Sequence, residues 1–523
     1  MEAHDEAVVR ISTAVIAFYE QQKPFRLYHG STNSTRASTR RRDNTIDTSS
    51  LGNILAIDVA KKTALVEPNV PLDLIVKEAL KHGLVPPVVM EFPGITVGGG
   101  FSGTSGESSS FRHGAFDTTI NEIEIVLPNG EVTRASKSHR QDIFWGAASA
   151  FGTLGVVTLL EMQLIEAKKY VGLTYYLETS MSEAVLKMEQ ECSRIENDYV
   201  DAIVFANDAT IVCTGKLSDE VPKETPNSEI WHFTRRKDPW FYLRAQDVMK
   251  QLRKKGGSTM PITDYIPLTD YLFRYDRGGF WVARYAFKYF LTPFNRVTRR
   301  LLDPFLHARE MYIAVHQSGL ADYYMVQDVG VPFPAVAEFQ TWLDETFKIY
   351  PLWLCPLRIR RDDPDSAYGL HAAFATSDQA DLMNFGIWAP LPGKSREEVI
   401  RLNRALEAKV QELGGKKWLY AQAFYTEEEF WKNYDRGSYD ALRENYEAQY
   451  LPSVYDKIKT DLKAEEYARK GTLKRRIKSA VSEVWPLRGL YGVYKVVGGG
   501  DYLLKKVNKH ESPTGISAEK AKS

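Results

Sequence analysis

Apolar residues recur along this chain in two rhythms. Between residues 24 and 165 they fall in short runs: Ile54-Leu55-Ala56-Ile57-Asp58-Val59, Thr63-Ala64-Leu65-Val66-Glu67-Pro68, Ile120 to Leu127, and Val156 to Met162. Short runs rich in Val, Ile and Leu, bounded by turn-forming residues, predict strands. A helical period instead marks residues 7 to 21 as a short amphipathic helix, and Leu72 to His82 as another, closed by Gly83, a common helix stop. The combination predicts an α+β fold with short strands and few helices. Residues 171 to 415 mix strands, helices and aromatic-rich segments and read as a second unit, and Tyr420 to Lys459 is helical, polar and aromatic. No internal repeat is visible.

One segment fits neither rhythm. Pro93 to Ser110 holds six glycines and seven hydroxyl side chains in eighteen residues. Strand-like flanks, Leu84 to Met90 and Ile120 to Leu127, place it inside a domain rather than in a flexible linker. Glycine permits close backbone approach, and successive free N–H groups form a concavity suited to a diphosphate, so the expected ligand is a phosphate-bearing cofactor. Gly98-x-Gly100-x-x-Gly103 matches the dinucleotide fingerprint GxGxxG, but that motif needs a strand before the glycines and a helix opening on the third. Here Thr104 to Ser110 follows without a helical period, so the expectation is a loop outside any nicotinamide-binding fold.

Composition narrows the setting. The chain has 523 residues, 44% hydrophobic and 26% charged, enough for two or three globular domains. Cys192, Cys213 and Cys355 are too far apart for a metal cluster or a disulfide framework, and no metal is expected; a reducing compartment fits best. No run approaches the roughly 18 apolar residues of a spanning helix, and the first residues lack the positive region of a signal peptide, so synthesis in the cytosol is expected. The formal net charge of zero conceals an asymmetry: Arg469 to Ser523 carries 13 Lys and Arg against 4 acids, +9, balanced by −9 elsewhere. Basic residues interleaved with Trp485, Leu487, Leu490, Tyr491 and Tyr494 suit an anionic membrane interface; a solvated tail, or one docked on the acidic body, is the alternative. No nucleic-acid-binding motif appears.

The order of several short motifs carries a family resemblance. Val66-Glu67-Pro68, the glycine segment, Phe111-Arg112-His113-Gly114, Leu127-Pro128-Asn129-Gly130-Glu131-Val132 and Phe151-Gly152-Thr153-Leu154-Gly155-Val156-Val157-Thr158 resemble the flavin-binding domain of the vanillyl-alcohol oxidase superfamily. Beyond it, Ala167 to Val171, Asp264-Tyr265-Ile266-Pro267-Leu268, Val326-Gln327-Asp328, Tyr350 to Pro356 and Glu428-Glu429-Phe430-Trp431 are similar to the Δ24-sterol reductases. The resemblance runs from about Pro24 to Lys459 and implies an N-terminal helix (1–23), an FAD-binding domain (24–170), an inserted α+β substrate domain (171–415), a helical return to the first domain (416–465) and an extra basic tail (466–523).

It further implies FAD held by Thr96, Val97, Gly98, Gly99, Gly100, Phe101, Ser102, Gly103, Thr104, Ser105, Gly106, Glu107 and Ser108, with Gly152, Thr153, Gly155 and Val157 beside the dinucleotide and Tyr28 to Asn33 in the place of the first pyrophosphate loop. Some superfamily members attach flavin through a histidine, which brings in His29 and His113, although a loop histidine more commonly only hydrogen-bonds. NADPH is the implied electron source, without a visible motif of its own.

Reducing an isolated C=C bond needs a hydride, from flavin, and a proton, from the protein. Protonating C24 of a sterol side chain leaves positive charge on tertiary C25, where hydride is best received, so a general acid is wanted beside the flavin. Asp328 heads the candidates: it follows the apolar run Tyr323 to Gln327, and either lines the substrate side of the flavin or caps the turn into Val329-Gly330-Val331-Pro332. Tyr420 is the second candidate, Tyr425 a weaker one, and either phenol is otherwise packing. Glu107 orients a flavin hydroxyl or a backbone group; Trp353 and Cys355 belong to a buried strand. The run Phe280 to Phe294, beside Arg284, Lys288, Arg296, Arg299 and Arg300, either dips into a membrane interface or packs as a helix.

Two departures bear on substrate and location. Where the reductases carry a histidine-rich stretch, this chain has Tyr271 to Arg277, and the family's N-terminal anchor is not seen. The expected protein is an FAD-dependent Δ24-sterol reductase using NADPH, peripheral on the cytosolic face of the endoplasmic reticulum or cytoplasmic. The alternatives are a flavin oxidase or dehydrogenase of another lipid or alcohol, and a membrane-associated flavoprotein without turnover. The sequence leaves the oligomeric state open.

Overall fold

A computed structural model describes residues 1–29, 42–103, 105–222, 230–254, 261–361, 363–375, 381–391, 393–462 and 485–498. The first helix, Glu2–Glu20, starts earlier than its apolar period predicts. Its first turn is anchored by a polar residue: buried His4 bridges Glu67 (2.9 Å) and Glu124 (3.1 Å). Ala7, Val8, Ile11 and Val15 then bury one stripe against Phe25, Ile46, Val126, Val156 and Leu451.

The predicted early strands assemble into one five-stranded antiparallel sheet, in the order Ile54–Asp58, Thr63–Val66, Val156–Gln163, Ile120–Val126, Val132–Ser136. Leu72–Leu80 is helical and buries Leu72, Ile75, Val76 and Ala79; the Gly83 amide, at φ +70°, closes on the Leu80 carbonyl. Of the strand-like flank Leu84 to Met90, only Leu84–Val85 pairs, with Ile165–Glu166.

The glycine segment corrects an expectation. Val97–Gly103 is a short helix, not a loop, and it begins before the first glycine of GxGxxG and ends at the third, so the dinucleotide motif remains excluded. The reason is close packing. A Cβ at Gly98 would stand 2.5 Å from Pro68 Cβ, and one at Gly100 2.7 Å from Met90 Cε and Phe116 Cδ1. These two glycines therefore seat the helix on its neighbours.

The second sheet has eight strands, all antiparallel: Ile262–Pro267, Tyr170–Glu178, Ala209–Ser218, Tyr199–Ala206, Leu352–Leu357, Leu382–Pro390, Tyr324–Pro332 and Lys416–Lys417. Helices Met181–Cys192, Val336–Thr346 and Arg396–Glu412 cover one face, over a core that includes Val200, Val212, Met325, Val329, Leu354, Phe385 and Ile387. The other face looks toward the five-stranded sheet. Leu352–Leu357 is buried throughout because both of its faces are covered, which agrees with a buried strand at Trp353 and Cys355. All three cysteines are free, and among the described residues no His, Cys, Asp and Glu group is placed to hold a metal ion.

After the second sheet the chain returns as helices Glu427–Asn433, Arg436–Asn445 and Val454–Ile458. Tyr439 pins this return to the first sheet: its hydroxyl donates to Thr153 Oγ1 at 2.8 Å and accepts from the Val454 amide at 3.0 Å. Most of the basic tail lies outside the described residues, but Leu487–Val497 is a helix docked on Ala308–Ser318. Gly492 sits against the Ala314 backbone, Arg488 donates to the Ser318 and Gly319 carbonyls, and Trp485 Nε1 donates to the Tyr289 carbonyl.

Candidate active site

Between the two sheets lies a cleft of about 1170 Å³. Ligand pockets typically span about 300–1,000 Å³, so this one has room for more than one small molecule. One end is glycine-walled. Thr96, Gly98, Gly99, Ser102, Gly103, Ser105, Gly106, Gly152, Gly155 and Val157 line it, with Arg26, His29 and Lys457 supplying cationic and polar side chains. Space explains which glycines matter here: a Cβ at Gly103 would meet only Phe151, at 3.9 Å, whereas Gly152 (φ +68°) and Gly155 (φ +140°) hold conformations that side-chain-bearing residues resist. Lys457 Nζ bonds the Phe151 carbonyl at the same turn.

The remaining sequence candidates face elsewhere. Val97, Gly100 and Phe101 are in the core, and Thr153 is buried on Tyr439. Glu107 and Ser108 form a buried layer behind the cleft; Thr104 and the loop from Gly30 to Asn33 lie outside the described residues. Within that layer Ser108 Oγ donates to Glu107 Oε2 at 2.6 Å, while Ser109 Oγ bonds both Glu107 Oε1 and, at 2.7 Å, the Pro87 carbonyl. Burial raises the Glu107 carboxyl above the usual carboxylate range.

The opposite end is aromatic. Phe280 stacks 4.0 Å from Tyr275 and lies 4.3 Å from Trp388 and 5.2 Å from Trp353 between ring centroids. Trp353 is fixed from behind, where its Nε1 donates to Asp201 Oδ2 at 3.1 Å; the same oxygen accepts from Arg274 and Tyr275, each at 2.8 Å. Tyr271 to Arg277, the stretch that departs from the reductases, thus supplies the layer that holds the aromatic wall. Of the run Phe280 to Phe294, Phe280, Trp281 and Phe287 are buried and Ala283–Tyr289 is a packed helix with Lys288 exposed; the exposed apolar side chains begin at Leu291.

Asp328 does not follow its strand or cap a turn. It sits in the middle of Tyr324–Pro332, opposite Gly386 in the ladder, and faces the cleft. Tyr420 Oη donates to Asp328 Oδ2, Asn384 Nδ2 donates to Oδ1 at 3.0 Å, and Trp418 Nε1 donates to Asn384 Oδ1 at 2.6 Å. Burial pushes the Asp328 carboxyl up to about 6, against the opposing pull of its bonds from Tyr420, Asn384 and Trp388. The Tyr420 phenol is also raised, by burial first and by Asp328 second. Tyr425 packs away from the cleft, against Phe430. Asn384, Trp388 and Trp418 were not foreseen; the alternation of Asn384, Gly386 and Trp388 along one strand is the signal that marks them.

A family model described as an FAD binding domain matches residues 6–136. The Delta(24)-sterol reductase of Mus musculus is 28% identical over 422 residues, covering 78% of this chain and 76% of its own length. The chain is related to the Delta(24)-sterol reductases and carries an FAD-binding domain. The human relative of the same name is 29% identical over the same coverage, and that of Pisum sativum 27% identical over 459 residues, 81% of this chain and 78% of its own.

FAD fits the residues present. The glycine wall leaves backbone exposed where a diphosphate needs close approach, Arg26 and Lys457 add positive charge at that end, and the aromatic end suits a planar ring system. His29 lines the cleft, whereas His113 does not.

Proposed function

We propose that this protein reduces the Δ24 side-chain double bond of a sterol, with FAD as cofactor and NADPH as electron source. The observation that carries the reading is a buried carboxyl with a raised pKa, Asp328, held by Tyr420 and Asn384 on the wall of an apolar cleft that continues into the FAD-binding glycines.

Bound FAD supplies the hydride. The protein's part is the proton and the geometry. Asp328 carries the proton on Oδ2 and passes it to Tyr420 Oη, while the phenol gives its own proton to C24 of the alkene. This leaves a carboxylate that accepts from Tyr420 at Oδ2 and from Asn384 at Oδ1, the two bonds the structure displays. Trp353, Trp388 and Phe280 exclude water and confine the flat substrate, so that positive charge developing at C25 is not quenched by solvent.

Within this reading residues 24–170 bind FAD, 171–415 the substrate, and 416–465 return to close the site. The place of action is the cytosolic face of the endoplasmic reticulum, as a peripheral protein. Support comes from Leu291, Val297 and Leu301, exposed among Arg296, Arg299 and Arg300, and from Leu487, Leu490 and Val497 exposed on the docked tail helix. The helix under that tail, Ala308–Ser318, lines the cleft with Met311, Tyr312 and Val315. Among the described residues no helix is long and apolar enough to cross a membrane.

The test is anaerobic reduction by NADPH followed by mixing with a Δ24-sterol. Sterol-dependent return of the oxidised flavin spectrum is expected. Rapid reaction with oxygen and none with sterol would sink the reading.

A further inference from the structure

Trp418 and Tyr420, the side chains that reach Asn384 and Asp328, stand on a segment without regular structure: residues 418–426 form neither helix nor strand. Trp418, Tyr420 and Gln422 line the cleft at every second position, while Lys417, Leu419, Ala421 and Ala423 are buried and do not line it. No ladder holds such a segment still.

Lys417 is the charged member of the buried set. It is 1% exposed, and its Nζ donates both to Glu407 Oε1, on the helix Arg396–Glu412, and to the carbonyl of Gln422. The first bond ties the segment to that helix; the second closes it on itself, with Tyr420 between the two ends. Both acceptors are shared. Glu407 Oε1 also accepts from the Phe424 amide at 3.0 Å, and the Gln422 carbonyl also accepts at 3.1 Å from Nε2 of Gln327, the neighbour of Asp328. One carbonyl thereby joins the strand of Asp328 to the segment of Tyr420. Burying an ion pair is no general route to stability, since apolar residues of similar volume often serve as well. What the ammonium adds is direction, because its donors fix where two acceptors lie.

We propose that Lys417 is a positioning residue for Tyr420, drawing Glu407 and the Gln422 carbonyl together so that the phenol stays on Asp328 Oδ2. This rests on the reading of Tyr420 as proton donor to the alkene and goes beyond it by naming the group that places the donor.

Lys417→Met alone strands Glu407 in the interior, so the test variant combines it with Glu407→Gln, which removes both charges and keeps an acceptor for the Phe424 amide. Sterol-dependent flavin reoxidation in this double variant should fall about 10²-fold, the cost of misplacing a catalytic group by about 1 Å. Its melting temperature and FAD dissociation constant should stay near wild type. The falling limb of its pH profile should move to higher pH, because the bond from Tyr420 pulls the Asp328 carboxyl down and would be lost. In a Tyr420→Phe background the same pair of substitutions should change the rate no further. An equal slowing in that background overturns the proposal, as does a wild-type rate, an unmoved limb or loss of folding in the double variant. Wild-type protein without sterol-dependent reoxidation, or Tyr420→Phe at the wild-type rate, removes the underlying reading and the proposal with it, and either result is seen before Lys417 is altered.

Discussion

Trp353 and Asp328 stand on one transverse row of the eight-stranded sheet, with Gly386 between them: Trp353 pairs with Gly386 on one side, and Asp328 pairs with Gly386 on the other. Residues directly opposite in antiparallel strands point to the same face, so the indole and the carboxyl both look into the cleft. Gly386 makes room between them. A Cβ there would meet Trp388 Cη2 at 2.4 Å, so the small residue lets a second indole lie across the row.

From this row follows the first prediction. Asp328→Asn keeps the shape but removes the transferable proton, and sterol-dependent flavin reoxidation should fall by about 10²- to 10⁴-fold, the usual worth of a general acid. FAD content, read from the visible spectrum, should be retained. Tyr420→Phe should also slow reoxidation without loss of FAD.

The pH dependence has a definite sign. Asp328 must be protonated to donate, and with its pKa raised to about 6 the protonated fraction falls as pH rises through that value. For the sterol half-reaction kcat/KM should therefore decline above about pH 6, the limb belonging to the Asp328–Tyr420 pair as a unit. Bound sterol excludes more water, which raises the acid further, so the corresponding limb in kcat should lie at higher pH. Asp328→Asn should lack both limbs, as stopped-flow profiles of the two proteins would reveal.

Neighbouring glycines should behave differently on substitution. Gly103→Val adds bulk to the cleft wall and should abolish FAD binding while leaving the melting temperature of the FAD-free protein near wild type. Gly98→Val drives a Cβ into Pro68 and should lower that melting temperature before FAD is considered. Equal unfolding by both would contradict the division.

The layer behind the aromatic wall should matter for stability. Asp201→Ala leaves Arg274 charged and buried and takes the partner from Trp353 Nε1 and Tyr275. Stranding one member of a buried ion pair costs about 3–5 kcal/mol, which a urea unfolding midpoint would report.

Membrane attachment is open to a direct measurement. Anionic vesicles should sediment the full chain at low salt and release it as salt rises. Truncation at Arg469, or Leu490→Glu with Val497→Glu, should weaken binding; equal sedimentation of full-length and truncated protein would reject the tail as an attachment.

What the chain spells out locally, it spells out well. The strands near residues 54, 63, 120 and 156, the helix at Leu72–Leu80 and the density of glycine after Pro93 are properties of contiguous residues, legible because side-chain periodicity and backbone freedom act within a few positions. The order of the motifs carried the resemblance to FAD-binding reductases. Tertiary structure decided the rest. It turned Gly98 and Gly100 into the packing and Gly103 into the cleft, set Asp328 in mid-strand rather than at a turn, and joined it to Tyr420 across 92 residues of sequence. Those outcomes depend on which segments meet and in what register, and burial and pairing of that kind are written in no single stretch of the chain.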